Sequence, residues 1–530
     1  MIRLRQIKVP INKDNKTFIK KECSKILKIN SNQINNLYIN KKSLDARHKP
    51  NLYFVYEVDM EVDNEDKILS KNHNTNILET PNEKYKFNIT GVKELENRPI
   101  IIGAGPAGLF CGYMLAKNGY RPIIIERGEP IEKRIDTVEN FWNTGKLELE
   151  SNVQFGEGGA GTFSDGKLVT QVKDTNYRNQ EVMNIFVSCG APEEIKYLSK
   201  PHIGTDLLRN IIINLRNKII EMGGEIKYNT KLTNLKIENN KLKEIEVNNN
   251  NWLKTNIIVL AIGHSARDTF EMLYNNKIPM EPKPFAIGIR IQHPQKLINK
   301  NQYGLEDILE LGSASYKLTH KSKNGRGVYS FCMCPGGFVV NSSSELNRLS
   351  INGMSNHNRN TENANSAIIV TISPKDYGCL PLDGVKFQRR LEEKAYNIGR
   401  GNIPVQLFKD YKNNIESTKF GNIKPIFKGK YSLSNLNLIF PEYINEALKE
   451  SISSFNNNIE GFACDDAILS AIESRTSSPV RILRNNDKES LIKGIYPCGE
   501  GAGYAGGITS SAIDGIKIAE SIASIYKPFN

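Results

Sequence analysis

The segment RPIIIGAGPAGLFCGYMLAKNGYRPIIIERG, residues 98–128, carries the pattern that decides the fold. It contains, in order, an apolar run at 99–102, the glycines Gly103, Gly105 and Gly108, an apolar helical pattern up to Gly119, a second apolar run at 122–125, and Glu126. Buried strand, glycine turn, helix, strand and acid are the order that a dinucleotide-binding unit requires.

The three glycines of this turn each have a physical role. Gly103 permits the tight turn, Gly105 lets a pyrophosphate approach the backbone, and Gly108 lets the helix pack close to the strands. The start of the helix then offers unpaired N–H groups and partial positive charge to the phosphates. Glu126 can accept hydrogen bonds from adenosine ribose hydroxyls, and its charge disfavours a 2′-phosphate. The predicted contacts are Gly103, Gly105, Pro106, Ala107, Gly108, Glu126 and Arg127. This unit alone does not distinguish NAD from FAD.

Length and composition limit the classes of protein to which the chain can belong. The chain has 530 residues, 39% of them hydrophobic, which predicts two to four domains with at least one large core. No stretch approaches the about 18 continuous apolar residues of a membrane span, and the N-terminus lacks the apolar centre of a signal peptide. The eight cysteines show no metal-type spacing, so no metal site is predicted. We therefore expect reduced thiols and a cytoplasmic protein.

The net charge of +13 invites comparison with nucleic-acid-binding proteins. The positive residues are spread along the chain among Asn-, Lys- and Ile-rich runs, which indicates a general composition bias. A nucleic-acid partner is therefore disfavoured.

The first 62 residues show a β-α-β-β pattern, typical of a small α+β unit. The polar stretch from Asn64 to Lys93 is typical of a linker, and a new domain should start near Glu94.

A second glycine-rich segment, LIKGIYPCGEGAGYAGGITSSAIDGIKIAESI at 491–522, reads as a strand, a turn carrying Glu500, and a helix from about Ile508. It resembles a motif of the glutathione-reductase-like flavoprotein superfamily, with Gly499-Glu500 in place of the commoner Gly-Asp. The resemblance implies that Glu500 hydrogen-bonds the ribityl chain of FAD. It also implies that Gly506, Gly507 and Ile508 bring N–H groups to the pyrimidine end of the flavin.

Two further segments agree with a flavin site. NIIVLAIGHSARDTF at 256–270 ends a buried strand at Ala261-x-Gly263 and resembles the superfamily strand that passes under the cofactor. SNVQFGEGGAGTFSDGKLVT at 151–170 is suited to hold a pyrophosphate or to close over the flavin, although a plain glycine turn is the alternative. Its predicted contacts are Gly158, Gly159, Gly161, Thr162, Ser164 and Lys167.

Together with FCMCPGG, NGMSNHNR and ESRTSSPVRI, these segments closely resemble a family of FAD-dependent dehydrogenases that carry their own C-terminal substrate-type domain and whose reaction is undefined. The resemblance covers nearly the whole chain. It implies an α/β fold in which a Rossmann-like FAD-binding domain is interrupted by a mixed α+β substrate or cap domain. The expected division is an N-terminal domain and linker at 1–92, FAD-binding parts at 93–281 and 482–530, and the substrate domain at 282–481.

Two motifs of related flavoproteins are missing from the sequence, which limits the reactions expected of it. The C-x-x-x-x-C pair of the superfamily's disulfide reductases is missing after the first β-α-β unit, which disfavours dithiol reduction by that mechanism. A second G-x-G-x-x-G in a strand–helix context is also missing, so NAD(P)H would dock only transiently as electron donor. A redox partner protein is the alternative donor.

Four residues of the predicted substrate domain are candidates for catalysis. Arg290 and His293 end an alternating strand pattern, and His293 could donate a proton, although a histidine before proline is more often structural. Arg475 could anchor a carboxylate or phosphate beside Thr476, against a structural ion pair with Glu473 or Asp465.

Cys332 and Cys334 in SFCMCPGG are either a redox pair or a tight turn beside the cofactor. A disulfide between cysteines this close in sequence is strained, which favours the turn.

Three functional hypotheses remain at this point. The preferred one is an FAD-dependent oxidoreductase acting on a small, anionic or unsaturated molecule. The others are an RNA-associated flavoprotein that uses Lys41, Lys42, Arg47 and Lys49, and a flavin-binding module without turnover.

Overall fold

A computed structural model describes residues 1–82, 84–306 and 311–529. Its N-terminal part is a four-stranded antiparallel sheet in the order β2-β3-β1-β4, with one face covered by a helix. Its elements are β1 (Ile2–Pro10), α1 (Lys16–Leu27), β2 (Ile34–Asp45), β3 (Tyr53–Val62), α2 (Glu65–Lys71) and β4 (Ile77–Glu79). Residues alternate between buried and half-buried along β3, as expected for a strand with one face on a core.

Part of the stretch predicted as a linker is folded, which corrects that expectation for α2 and β4. Ile77 pairs with Leu4 at the edge of the sheet, and Ile68 is buried against the same core. The sequence hid these elements because each is short and surrounded by polar residues. Glu83, in the same stretch, lies outside the described residues.

The next part of the chain builds a five-stranded parallel sheet, completed by a strand near the C-terminus. Its elements before the excursion are β5 (Ile100–Ile102), α3 (Pro106–Lys117), β6 (Ile123–Ile125), α4 (Ile131–Thr144), α5 (Arg178–Ser188), α6 (Thr205–Glu221), β7 (Glu225–Lys227), β8 (Leu232–Glu238), β9 (Lys241–Val247), β10 (Asn251–Lys254), β11 (Ile258–Leu260) and α7 (Arg267–Asn275). Strands β8 to β10 form a separate antiparallel sheet. The buried isoleucines of β5 suit a parallel strand covered on both faces.

A long excursion then forms a seven-stranded sheet in the order β14-β15-β18-β13-β22-β19-β21. Its elements are β12 (Met280–Pro282), β13 (Phe285–Pro294), α8 (Gln295–Tyr303), β14 (Thr319–Lys321), β15 (Gly327–Cys334), β16 (Phe338–Asn341), β17 (Ile351–Met354), β18 (Asn363–Ile372), α9 (Pro374–Tyr377), α10 (Asp383–Ile398), β19 (Ile403–Leu407), α11 (Phe408–Asn413), β20 (Phe427–Lys428), β21 (Tyr431–Leu433), α12 (Glu442–Phe455) and β22 (Ile468–Glu473).

The chain returns to the parallel sheet through β23 (Val480–Ile482), which pairs antiparallel with β12, the strand by which it left. It ends with β24 (Ile495–Pro497) and α13 (Ile508–Ile525). The complete parallel sheet has the order β24-β11-β5-β6-β7. The architecture is therefore the predicted α/β fold with an interrupted Rossmann-like domain and additional α+β parts.

Helices α3 and α13 pack directly on each other beneath this sheet. A Cβ at Gly515 would lie 2.2 Å from the carbonyl oxygen of Ala107, so the glycine allows the two helices to approach. This packing brings the N-termini of both helices to the same edge of the sheet. Within the described part of the chain, no helix is both long and apolar enough to cross a membrane.

Candidate functional site

A cavity of about 360 Å³ lies where the carboxyl ends of the parallel strands face the seven-stranded sheet. Ligands of open α/β sheets bind at this edge. The predicted cofactor residues that line it are Gly103, Gly105, Pro106, Ala107, Glu126, Arg127, Gly159, Gly161, Ser164, Lys167, Ala261, Gly263, Glu500, Gly506, Gly507 and Ile508. Residues from four separate segments of the sequence thus meet around one space.

The glycine turn between β5 and α3 is shaped by backbone contacts. Gly103 has φ 104° and its Cβ would lie 2.5 Å from the Ala261 carbonyl oxygen, while a Cβ at Gly108 would lie 1.9 Å from the Gly103 carbonyl oxygen. Gly108 therefore packs the helix on the strand and does not line the cavity. Gly105 is the N-cap of α3 and has no side chain, so the helix N-terminus that borders the cavity is not capped by a side chain.

Glu126, at the end of β6, is held in a fixed orientation by backbone N–H groups. Its carboxylate accepts hydrogen bonds from Ala104 at 2.8 Å, Gly128 at 2.9 Å and Gly156 at 3.0 Å. A carboxylate has about four acceptor positions, so one remains for a ribose hydroxyl. Arg127 beside it makes a bidentate pair with Asp268 and supports the rim rather than a phosphate.

The glycine-rich loop after α4 lies against the first turn. Gly159 approaches Gly105, with its Cβ position 3.1 Å from the Gly105 Cα, and Gly161 packs on the Ile508 side chain. Gly158 and Thr162 face away from the cavity, since a Cβ at Gly158 would meet the Thr162 hydroxyl at 2.1 Å. Their expected contact with the cofactor is corrected to a role inside the loop.

Arg134 of α4 organises this loop, and the sequence alone did not single it out. Its buried guanidinium donates to the carbonyl oxygens of Asn152, Val153, Gly156, Glu157 and Gly159 at 2.6 to 3.3 Å. Burial lowers its pKa to about 10. Five N–H donors in a rigid fork match this cluster of carbonyls, which no lysine would satisfy.

The start of α13 forms the opposite end of the cavity. At Gly506 and Gly507 a Cβ would meet no protein atom within 4 Å, so both glycines leave open space in front of the backbone. Gly507 is an N-cap without a side-chain cap. Gly499 does not line the cavity; its N–H donates to Asp514 at 2.8 Å, which fixes the turn.

Glu500 and His264 form an acid–base pair of side chains at this end. Burial raises the pKa of Glu500 to about 7, although Lys283 opposes the effect. Burial and the charge of Arg475 lower the pKa of His264 to about 3, so this imidazole is neutral. Its Nε2 lies 4.0 Å from the Glu500 carboxylate. The sequence analysis did not predict His264 as a site residue. Its position directly after the predicted Gly263 could have indicated it.

Ser164 and Lys167 line the middle of the cavity but are engaged within the protein. The Ser164 hydroxyl donates to the Gly161 carbonyl at 2.6 Å. Lys167 pairs with Asp165 at 2.8 Å and donates to the Met333 carbonyl oxygen. Lys167 therefore joins the loop to the wall formed by the seven-stranded sheet.

That second wall is made of side chains from the excursion: Phe331, Cys332, Asn352, Glu473, Arg475 and Thr476. The Arg475 guanidinium is bound by Glu392 at 3.0 and 2.9 Å and by Ser344. Its ion pair is with Glu392, not with the predicted Glu473 or Asp465. The Thr476 hydroxyl donates to the Ala286 carbonyl at 2.8 Å. Both residues line the cavity with their polar groups already satisfied.

Arg290 and His293 do not line the cavity, which corrects the expectation that they contact a substrate. Arg290 is completely buried and donates to Glu473 at 2.7 Å, Asn352 at 2.9 Å and the Cys332 carbonyl at 3.2 Å. It positions three residues of the wall from behind. His293 lies in the core, where its Nε2 is 2.7 Å from the Phe462 carbonyl oxygen and burial lowers its pKa to about 4.

The residues present fit FAD. Bare backbone at both ends leaves room for a cofactor that runs from Glu126 to Gly507, and each end has an uncapped helix N-terminus. The acceptor at Glu126 suits an adenosine ribose, and the N-terminus of α13 suits a group that becomes anionic on reduction.

Comparison with protein families supports the two main parts of this architecture. The model for an FAD-dependent protein C-terminal domain matches residues 284–476, and that for an NAD(P)-binding Rossmann-like domain matches residues 101–152. A domain of unknown function matches residues 1–61. An uncharacterized protein of Clostridium beijerinckii is 48% identical over 527 residues, which cover 98% of each chain.

Similar solved structures are distant in sequence. L-proline dehydrogenase from P. horikoshii is 14% identical, with 81% of this chain and 94% of that chain covered and a TM-score of 0.34. Flavin-dependent brominase Bmp2 is 13% identical, with 80% and 78% covered and a TM-score of 0.36. Glycine oxidase from Bacillus cereus is 10% identical, with 80% and 94% covered and a TM-score of 0.30.

Proposed function

Because the chain belongs to the family of FAD-dependent proteins that share this C-terminal domain, we propose that it is an oxidoreductase with non-covalent FAD that acts on a small molecule. The observation that carries the proposal is the cavity itself, which joins a glycine-lined cofactor channel to a wall of side chains from the second sheet. When bound, FAD supplies two-electron hydride chemistry.

The protein's part at the cofactor is to bind, orient and keep out water. Glu126 and the uncapped start of α3 hold the adenosine and phosphate end. The N-terminus of α13 stabilises negative charge at the other end. Glu500, whose pKa is raised to about 7, can give or take a proton near neutral pH.

A second, smaller cavity supports the position of the substrate. It measures about 220 Å³ and shares Phe331, Thr476 and Gly506 with the first. Its remaining lining includes Phe285, Tyr329 and Ile369, which are apolar or aromatic. We infer that the substrate enters here and presents an apolar, unsaturated group to the flavin.

The sequence suggested that Arg475 anchors an anionic substrate, but the contacts of Arg475 give this role little support. The Arg475 guanidinium is already bound by the buried carboxylate of Glu392 at 2.9 Å, and Glu345 lies 4.0 Å away. Nothing favours the RNA-associated alternative either. Lys42 pairs with Asp14, Arg47 pairs with Asp45, and Lys49 donates to the Asn301 carbonyl.

The proposal is tested by two cavity-filling variants and one matched control. At Gly105 and Gly507 a Cβ meets nothing closer than 3.9 Å, so Gly105→Val and Gly507→Val should fold and project into the cofactor space. Gly327→Val, at the exposed first residue of β15, is the control. We expect the purified control to retain FAD and both cavity variants to lose at least about 90% of it. Full FAD content in both would contradict the proposal.

The donor is identified by anaerobic absorbance spectra before and after addition of NADH or NADPH. Bleaching of the flavin band is the expected result and means that a nicotinamide docks transiently. A band bleached by dithionite but by neither nucleotide would contradict this donor and indicate a redox partner protein or the substrate itself.

A further inference from the structure

Cys332 lies in the cavity wall because strand β15 bulges. The pairing of β15 with β18 shifts register between Phe331 and Cys334, and Cys332 has φ 42°. A non-glycine residue in this region costs about 1–2 kcal/mol. Bulges redirect a side chain and are frequent beside active sites. Here the bulge places the Cys332 side chain in the wall beside Phe331.

The same bulge brings Cys334 to Cys332. The Cys334 thiol donates a hydrogen bond to the Cys332 carbonyl oxygen at 3.3 Å. A regular strand would keep side chains two positions apart separate. At this bulge the strand is irregular, so the regular spacing behind the expected strain does not apply to this pair.

Charged groups from four elements surround the two thiols. The cations are Lys167, bound to the Met333 carbonyl, and Arg290, bound to the Cys332 carbonyl. The carboxylates that face the same region are Asp165 beside Lys167, Glu473 beside Arg290, and Glu500 across the cavity.

The two cysteines shift in opposite directions. The neighbouring Cys334 thiol, together with the two cations, holds the pKa of Cys332 well below its usual range, whereas the pKa of Cys334 is raised by Cys332 and by burial. Elsewhere burial raises the pKa of Cys23, Cys111, Cys189, Cys464 and Cys498. A thiolate next to a protonated thiol is the arrangement that dithiol chemistry uses.

We propose that Cys332 and Cys334 form a redox-active dithiol that exchanges two electrons with the flavin of this cavity. This dithiol rests on the proposed function, because it requires FAD in the cavity. In the oxidising direction the S–S bond forms and the S–H bond of Cys334 breaks. The two electrons, the proton of Cys334 and one proton from solvent reduce the oxidised flavin to its dihydro form. The reverse reaction restores thiolate and thiol.

The first test counts electrons. Holoprotein is oxidised with diamide, freed of reagent and titrated anaerobically with dithionite. The wild type should take up about two electrons more per flavin than Cys332→Ser and Cys334→Ser, because the disulfide is itself a two-electron acceptor. Cys379→Ser, which removes an exposed cysteine outside the cavity, is the control and should match the wild type. Equal uptake in the wild type and Cys332→Ser would overturn the proposal.

A second readout does not depend on flavin turnover or on any variant. After diamide, mass spectrometry of the wild type should show a peptide that lacks two hydrogens and resists iodoacetamide at both Cys332 and Cys334. Alkylation of both thiols in FAD-loaded protein after oxidation would also overturn the dithiol while leaving the proposed oxidoreductase intact. A chain that holds no FAD would overturn both.

Discussion

The two walls of the cavity are built in different ways. The wall on the parallel sheet is mostly backbone: Gly103, Gly105 and Gly159 let chain segments approach each other, and Gly506 and Gly507 leave open space at the start of α13. The wall on the seven-stranded sheet is side chains held by buried ion pairs. Under the proposed function, the backbone wall would bind the cofactor and the side-chain wall would select the substrate.

The support behind each wall also differs. A single arginine, Arg134, holds the glycine loop through carbonyl oxygens. The other wall depends on buried pairs of a carboxylate and an arginine, Glu473 with Arg290 and Glu392 with Arg475. The shape of the backbone wall should therefore depend on one arginine, and the side-chain wall should lose stability as pH falls.

The largest effect is expected from Arg134→Met. Unpaired buried carbonyls cost about 1–3 kcal/mol each and are not additive, so we expect a loss of at least about 3 kcal/mol in unfolding free energy together with loss of FAD. The checks are denaturant unfolding and the flavin-to-protein absorbance ratio. Lys133→Met, an exposed neighbour on the same helix, should change neither. Normal FAD content in Arg134→Met would mean that the loop does not need this support.

Glu392→Gln should lower the free energy of unfolding by about 3–5 kcal/mol, because it leaves Arg267 and Arg475 without their buried carboxylate partner. The two arginines hold the pKa of Glu392 below its usual range. Its contribution to stability is therefore present above the unfolded pKa of about 4.3 and is lost as pH falls.

The measurement is the denaturant midpoint between pH 6 and pH 3. Wild type should lose more stability than Glu392→Gln over this interval. Glu393→Gln, an exposed neighbour, serves as the control and should follow the wild type. Parallel curves for all three proteins would be inconsistent with a buried ionised Glu392.

Glu500→Gln tests the acid that lines the cavity near the start of α13. Its folded pKa of about 7 lies above the unfolded value, so the stability linked to this group is complete below about pH 4.3 and is lost as pH rises through 7. Apoprotein should lose about 2 kcal/mol between pH 5 and pH 8, and the variant should not. Asp487→Asn, an exposed control, should behave as wild type.

The smallest effect on the flavin is expected from His293→Asn. The histidine binds the Phe462 carbonyl in the core, so the variant should lose about 1–3 kcal/mol of stability. Its flavin spectrum and flavin reduction rate should stay within about twofold of wild type because His293 does not reach the cavity. A flavin reduction rate at least tenfold lower than that of the wild type, at equal FAD content, would mean that His293 takes part in the reaction.

Most residues of the backbone wall could be predicted, because the sequence patterns that indicate them lie within short continuous segments. Gly103, Gly105 and Glu126 lie within one short strand–turn–helix–strand unit, and strand geometry fixes where they point. Sixteen of the predicted contacts line the cavity. Gly108, Gly158, Thr162 and Gly499 do not, since each instead shapes the turn on which the lining residues sit.

The sequence by itself determined the glycine framework for a dinucleotide, because short-range steric rules require glycine at those turns. The interrupted α/β fold was predicted from the resemblance of several sequence segments to a known family. Only the tertiary structure decided the partners of Arg475 and Arg290, the burial of His293 and the support from Arg134. It also decided that a bulge joins Cys332 to Cys334. Burial, ion pairing and strand register depend on segments far apart in the chain, and no local pattern records which of them will meet.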